Sequence, residues 1–275
     1  MLTDYHLHLR PDDLDAYFDD YMTPENVDRY RAVAEEAGIA ELGVSEHIHR
    51  FADALRIWDH PYWQENAIDD LGRYVDFVRG ETDLKLGIEM DYVAGREDRI
   101  ETVLDEHEWD YVVGSVHFLA QAAIDWDKYD IWKERSSPEE IWREYFETLA
   151  AAARTGMYDI MAHPDLVKYW GKERPAPERD PRFFYEPAVE AFAEAGVAVE
   201  ISTAGLRKPV GEIYPAPAFI EMCVDAGLPF ALSSDAHEPM NVGHGYEQAV
   251  ALLAEYGVNE LAVFSGRERK LEPIG

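Results

Sequence analysis

Asp4-Tyr5-His6-Leu7-His8, near the start of the chain, is the stretch on which the reading of the fold turns. Side chains on an extended segment alternate with period 2, so the two imidazoles point to one side and both can reach one metal ion. A metal needs more than two ligands, so this stretch predicts further His, Asp and Glu at the ends of other strands.

The chain supplies them in order. Residues 2–8 read as a first strand, and Thr23-Pro24-Glu25 starts a helix that runs to Ala37 and stops at Gly38. The apolar run 39–45 is a second strand, ending in Glu46-His47-Ile48-His49. A helix over 68–79 leads into a third strand, 84–89, whose last residue is the carboxylate Glu89. A helix over 96–107 precedes a fourth strand, 109–116, ending at His117. Ser137-Pro138-Glu139-Glu140 opens a helix to Arg154, and the short strand 158–162 closes in His163-Pro164-Asp165. A helix to Ala195, a strand over 197–201, a helix over 216–226 and a strand over 228–233 follow, the last ending in Ser234-Asp235-Ala236-His237. A final helix spans 245–256, with a short strand over 260–264.

Strand and helix alternate with no break in composition, which predicts one α/β domain over 1–275 with parallel strands joined by helical crossovers. Doubly wound sheet and closed barrel are the two candidates. His8, His47, Glu89, His117, His163 and Asp235 all fall just after their strands, which favours the barrel, because there the strand ends converge on one face.

At 275 residues the chain can bury a large core, and no apolar run approaches the roughly 20 residues that cross a bilayer. With no secretory signal pattern at its start, a cytoplasmic location is the expectation, with no membrane partner. The net charge of −31, from 56 acidic and 25 basic residues, repels polyanions and argues against nucleic acid as a partner. Cys223 is the only cysteine, so no internal disulfide forms, and its apolar setting predicts a buried small hydrophobe.

Six motifs, His6-x-His8, Ser45-Glu46-His47, Gly87-Ile88-Glu89-Met90-Asp91-Tyr92, Gly114-Ser115-Val116-His117-Phe118, Ala162-His163-Pro164-Asp165 and Ser234-Asp235-Ala236-His237, stand in sequence at strand ends. Together they resemble the PHP (polymerase and histidinol phosphatase) superfamily of metal-dependent phosphoesterases, over nearly the whole chain. Glu200-Ile201-Ser202-Thr203-Ala204-Gly205-Leu206-Arg207-Lys208 resembles a segment of the histidinol-phosphate phosphatase branch, with Ser202 where Asn is usual.

The resemblance implies a distorted (β/α)7 TIM-like barrel, the PHP fold, holding two or three divalent metal ions (Mn, Fe or Zn). It implies His6, His8, Glu89 and Asp235 at a first ion, and Glu89 bridging to a second held by His117 and His163. His47, His237 and a residue of the loop after His8, where many relatives carry a His, would hold a third. Here that loop offers Asp12, Asp13 and Asp15, of which Asp12 or Asp13 is favoured. The expected reaction is hydrolysis of a small phosphate ester, L-histidinol phosphate, by a hydroxide shared between two ions, with Glu89, Asp235 and His237 as catalytic residues. Arg207 is the expected bidentate phosphate clamp; Arg10 and Lys168 are further cations for the substrate, although a loop cation is usually only solvated. A protonated Asp or His, such as His237, or a metal would serve the leaving alkoxide. Glu46 and Asp4 are candidates for orienting the imidazoles, and the aromatic residues of 58–63 with Trp126 and Trp132 for covering the site. Two other readings keep the same ligands: a barrel acting on a sugar phosphate or nucleotide end, and a non-catalytic metal-binding accessory domain.

Overall fold

The computed structural model describes residues 1–12 and 16–275. Eleven strands follow in chain order: β1 (Leu2–Asp4), β2 (Ile39–Val44), β3 (Lys85–Asp91), β4 (Tyr111–Ser115), β5 (Phe118–Leu119), β6 (Ala122–Ala123), β7 (Ile160–Met161), β8 (Ala198–Ser202), β9 (Phe230–Ser233), β10 (Glu260–Ser265) and β11 (Glu268–Pro273). Seven of them form one parallel sheet in the order β1-β2-β3-β4-β7-β8-β9. Beyond β1 and β9 the chain closes the sheet, since Leu7 bridges Ala236 in parallel and the His8 amide donates to the Ala236 carbonyl at 2.8 Å. An open, doubly wound sheet keeps its edge strands apart; this is a nearly closed (β/α)7 barrel.

Its strands are buried on both faces, as parallel strands under helices must be. The helix Pro138–Arg154 begins where its sequence signals place it, with the Ser137 side chain accepting from the Glu140 amide, and turns Ile141, Tyr145, Phe146 and Leu149 into the core. Elsewhere the boundaries move. The helix expected from 68 starts at Leu71, because Asp70 caps it by accepting from the Arg73 amide.

The barrel interior is a small core of its own, with Tyr5, Tyr111, Val113, Ile160 and Ala198 among its members. Tyr111 fits there because Gly43 and Gly87 lack side chains; a Cβ at either would run into its ring. The base is plugged by the antiparallel hairpin β10–β11, which adds Ala262 and Phe264 to that core and donates from the Gly266 and Arg267 amides to Asp110. Only the first of these two strands was expected. Arg269, Lys270 and Glu272 give β11 no apolar alternation, and its position is set by pairing instead.

Between β4 and the helix Pro138–Arg154 the chain leaves the barrel in an excursion containing the hairpin β5–β6. Among the described residues, no helix is long and apolar enough to cross a membrane.

Candidate metal centre

The ends of the barrel strands remain knitted after regular pairing stops. Besides the Leu7–Ala236 bridge, His47 pairs with Glu89, and the Glu89 amide donates to the Glu46 carbonyl at 3.0 Å. Two strand-end residues, His163 (φ 25°) and Asp235 (φ 49°), take the left-handed backbone that non-glycine residues rarely adopt. Such strain persists only where its surroundings fix it, and the His163 amide is held by the Glu200 carboxylate at 2.6 Å.

The side chains converge in three groups. His6 Nε2 lies 3.5 Å from Glu89 Oε2 and 3.8 Å from Asp235 Oδ1. His8 Nε2 lies 3.3 Å from the same Asp235 oxygen and 3.9 Å from the same Glu89 oxygen. The other oxygen of Glu89, Oε1, faces His117 Nε2 at 3.5 Å and His163 Nε2 at 3.3 Å. In the third group His237 Nε2 is 3.2 Å from His47 Nε2 and 3.3 Å from Asp12 Oδ1. His47 also touches Glu89 through Nδ1. Asp13, the other candidate of that loop, lies outside the described residues, as does Asp15.

Carboxylates behind the rings fix which nitrogen faces inward. Glu200 Oε1 meets His6 Nδ1 at 2.7 Å and Asp91 Oδ1 meets His117 Nδ1 at 2.7 Å, while Glu46 Oε2 stands 3.7 Å from His8 Nδ1, beyond hydrogen-bond distance. This is the outer layer that metal-ligating histidines require. Asp4, expected to orient a ring, instead accepts from the Ser234 amide and hydroxyl and from the His6 amide, so it braces the backbone.

The residues fit a cation. His6 Nε2, His8 Nε2, Glu89 Oε2 and Asp235 Oδ1 are all buried without a hydrogen-bond partner, although they lie close together. Buried polar atoms left unpaired cost about 1–3 kcal/mol each, and a divalent ion satisfies all four at once. Burial would raise the Glu89 carboxyl, but the His47, His6 and His117 imidazoles outweigh it and hold its pKa well below the usual range. Asp235 behaves alike, burial being overcome by His6, His8 and His237. Burial opposes charge on His117, yet Asp91 and Glu89 raise it to about 10. His237 goes the other way: burial and the neighbouring charge of His8 push it down to about 3. A lowered pKa favours the neutral imidazole, the form that ligates a metal.

A cavity of about 450 Å³ opens onto these groups, and a second of about 310 Å³, reaching Arg207, Glu238 and Asn241, shares Asp12, Lys208, Asp235 and His237 with it. The expected substrate cations fare differently. Arg207 lines the smaller cavity; its Nη2 donates to the Ser234 and Asp235 carbonyls, while Nη1 is buried and unpaired among the described residues. Arg10 reaches the main cavity with its guanidinium bound to Asp69 at 2.8 Å. Lys168 lines neither of these two cavities, and its ammonium is held by Asp165, Glu212 and the Ile213 carbonyl.

Sequence reasoning passed over Lys208, which lines both cavities and forms no ion pair among the described residues. Burial lowers its pKa, but Asp235 and other facing groups raise it above the ordinary lysine value. His49 next to Arg50 is ambiguous in the sequence; the structure buries Arg50 between Glu46 (2.8 Å) and Asp12 (3.0 Å). Asp91 and Glu200 left signals: Asp91 is two residues after Glu89 on one strand and so on the same face, and Glu200 is a lone carboxylate in an apolar strand, where burial demands a partner. Of the aromatic cluster, Trp58 and Trp63 are core, while Tyr62 and Trp126 line the cavity.

Residues 21–204 match the PHP domain family. A "Probable histidinol-phosphatase" of Deinococcus radiodurans is 32% identical over 251 residues, covering 89% of this chain and 91% of that protein. A "Histidinol-phosphatase" of Bacillus subtilis is 28% identical, covering 80% and 91%. In fold, the chain is similar to the histidinol phosphate phosphatase of Lactococcus lactis, solved with zinc, L-histidinol and phosphate, with a TM-score of 0.71 and 20% identity over 98% of each chain.

Proposed function

The chain belongs to the PHP domain family, and from that premise we propose that it is a metal-dependent phosphomonoesterase that hydrolyses L-histidinol phosphate to L-histidinol and phosphate. The observation that carries the chemistry is the division of Glu89 between two imidazole groups, one carboxylate oxygen to each. The likeness to histidinol-phosphatases along most of the chain carries the substrate.

The centre binds divalent metal. On our assignment His6, His8, Glu89 and Asp235 hold one ion, Glu89, His117 and His163 a second, and His47, His237 and Asp12 a third; such mixed imidazole and carboxylate shells accept Mn, Fe or Zn. When bound, these cations supply Lewis acidity, a water made nucleophilic at neutral pH, and neutralisation of the phosphoryl charge. The chain's own residues do the rest. Glu200 and Asp91 hold His6 and His117 so that Nε2 faces the centre. Lys208, which lines both cavities, takes a phosphoryl oxygen, and Arg207 Nη1 offers a second donor. Arg50 keeps Glu46 and Asp12 in place beside His8 and His237.

Two measurements test this. The metal-loaded protein should cleave L-histidinol phosphate with kcat/KM about 100-fold above that for 4-nitrophenyl phosphate, the discrimination a site gains from paired polar groups. Equal rates overturn the substrate, and no turnover of any ester overturns the enzyme in favour of an accessory metal-binding role. Lys208→Met should lower kcat/KM by about 100-fold, the size of one lost charged donor, whereas Lys168→Met should stay within about twofold of wild type. Equal effects would remove Lys208 from the phosphate site.

A further inference from the structure

The main cavity is also lined by side chains that the metal chemistry does not use. Apart from the metal-centre carboxylates, most charged side chains lining it have partners: Arg10 is paired with Asp69, Arg50 with Glu46 and Asp12, and Lys128 with Glu65 at 2.8 Å. Two charges stand apart. Lys208 and Asp125 both line the cavity, and neither forms an ion pair or hydrogen bond through its side chain among the described residues. They are close enough for the charge of Asp125 to act on Lys208, and also on His117, yet no ion pair joins them.

Asp125 is held firmly. The Ile124 amide donates to the His117 carbonyl at 2.8 Å, and Trp170 Nε1 donates to the Ile124 carbonyl at 2.8 Å, so the backbone leading into Asp125 is fixed from both sides. Its surroundings are aromatic. Tyr62, Phe118, Trp126, Tyr169 and Tyr214 line the same space, and the Tyr62 and Trp126 rings lie 5.3 Å apart at the mouth, where Trp126 is 47% exposed. A carboxylate beside ring faces attracts an organic cation twice, through its charge and through the rings.

We propose that Asp125 is a specificity-determining residue that pairs with the ammonium group of an amino-alcohol phosphate while Lys208 takes its phosphoryl end, so that the cavity selects zwitterionic phosphate esters. The inference rests on the phosphatase reading above and assigns the substrate's cationic group to one side chain. An ester without an amine gains nothing from Asp125.

The test uses the metal-loaded full chain with L-histidinol phosphate, O-phosphoethanolamine and 4-nitrophenyl phosphate. Asp125→Asn should raise KM for the two amines by about 10- to 100-fold, the worth of one charged hydrogen bond, with kcat little changed. The same variant should leave kcat/KM for 4-nitrophenyl phosphate within about twofold, which also shows that it folds, and Asp125→Glu should restore most of the lost preference. If wild type prefers histidinol phosphate and Asp125→Asn keeps that preference, or if all three esters suffer equally, the proposal is overturned. If wild type cleaves histidinol phosphate no faster than the aryl ester, the substrate reading falls; an Asp125-dependent preference for O-phosphoethanolamine then still upholds the proposal, and its absence overturns both.

Discussion

Glu89→Gln is expected to lower kcat/KM by on the order of 10³-fold or more, with bound metal reduced and the far-UV circular dichroism unchanged. The substitution keeps the shape of the side chain and removes its charge. It also turns one oxygen into an NH2 group that donates where a cation is needed, toward either His6 and His8 or His117 and His163. Because Glu89 serves both groups, no neighbouring carboxylate replaces it: Glu200, Asp91 and Glu46 are engaged behind the imidazoles. Activity within about tenfold of wild type, at full metal content, would remove Glu89 from the bridging position.

Stripping the metal with a chelator should abolish turnover and lower Tm by on the order of 10 °C. A ligand present at about 1,000 times its Kd stabilises the folded state by about 4 kcal/mol, and for a chain of this size about 1 kcal/mol moves Tm by about 2–4 °C. The structural cause is local. Glu89 and His8 are 1% and 0% exposed, and among the described residues Glu89 Oε2 and His8 Nε2 have no hydrogen-bond partner, so without a cation the centre keeps desolvated donors and acceptors facing one another. Calorimetry before and after chelation, and again after a divalent ion is restored, measures this. An unchanged Tm would mean that the cluster is satisfied without metal.

Much of this was legible before any coordinates. His6 and His8 on one extended stretch, and polar residues after each apolar run, point to a barrel with a candidate metal centre at one end, because period-2 alternation and chain order are properties of the linear sequence. The helix from Pro138 carried its own cap and stop signals and lies where they place it. Other features carried no local signal. β11 is a charged segment held by pairing with β10, and Asp70 moved a helix start by capping it.

Loop cations divide the same way. Arg207, Arg10 and Lys168 could be named as cations near strand ends, but their free valence depends on residues far away in sequence: Ser234 and Asp235 carbonyls, Asp69, and Asp165 with Glu212. Lys208 and Asp125 matter for the converse reason, since the folded chain brings neither of them a partner among the described residues.

The sequence by itself therefore determined the residue types of the candidate metal centre, their order along the chain and the barrel that gathers them, since periodicity and ligand chemistry are written in one dimension. Only the tertiary structure decided which oxygen of Glu89 faces which imidazoles, that Glu200 and Asp91 stand behind the rings, and which cations remain free to meet a substrate. Those are questions of pairing among groups as far apart in sequence as His6 and Glu200, and pairing at about 3 Å is fixed by packing, which no local signal encodes.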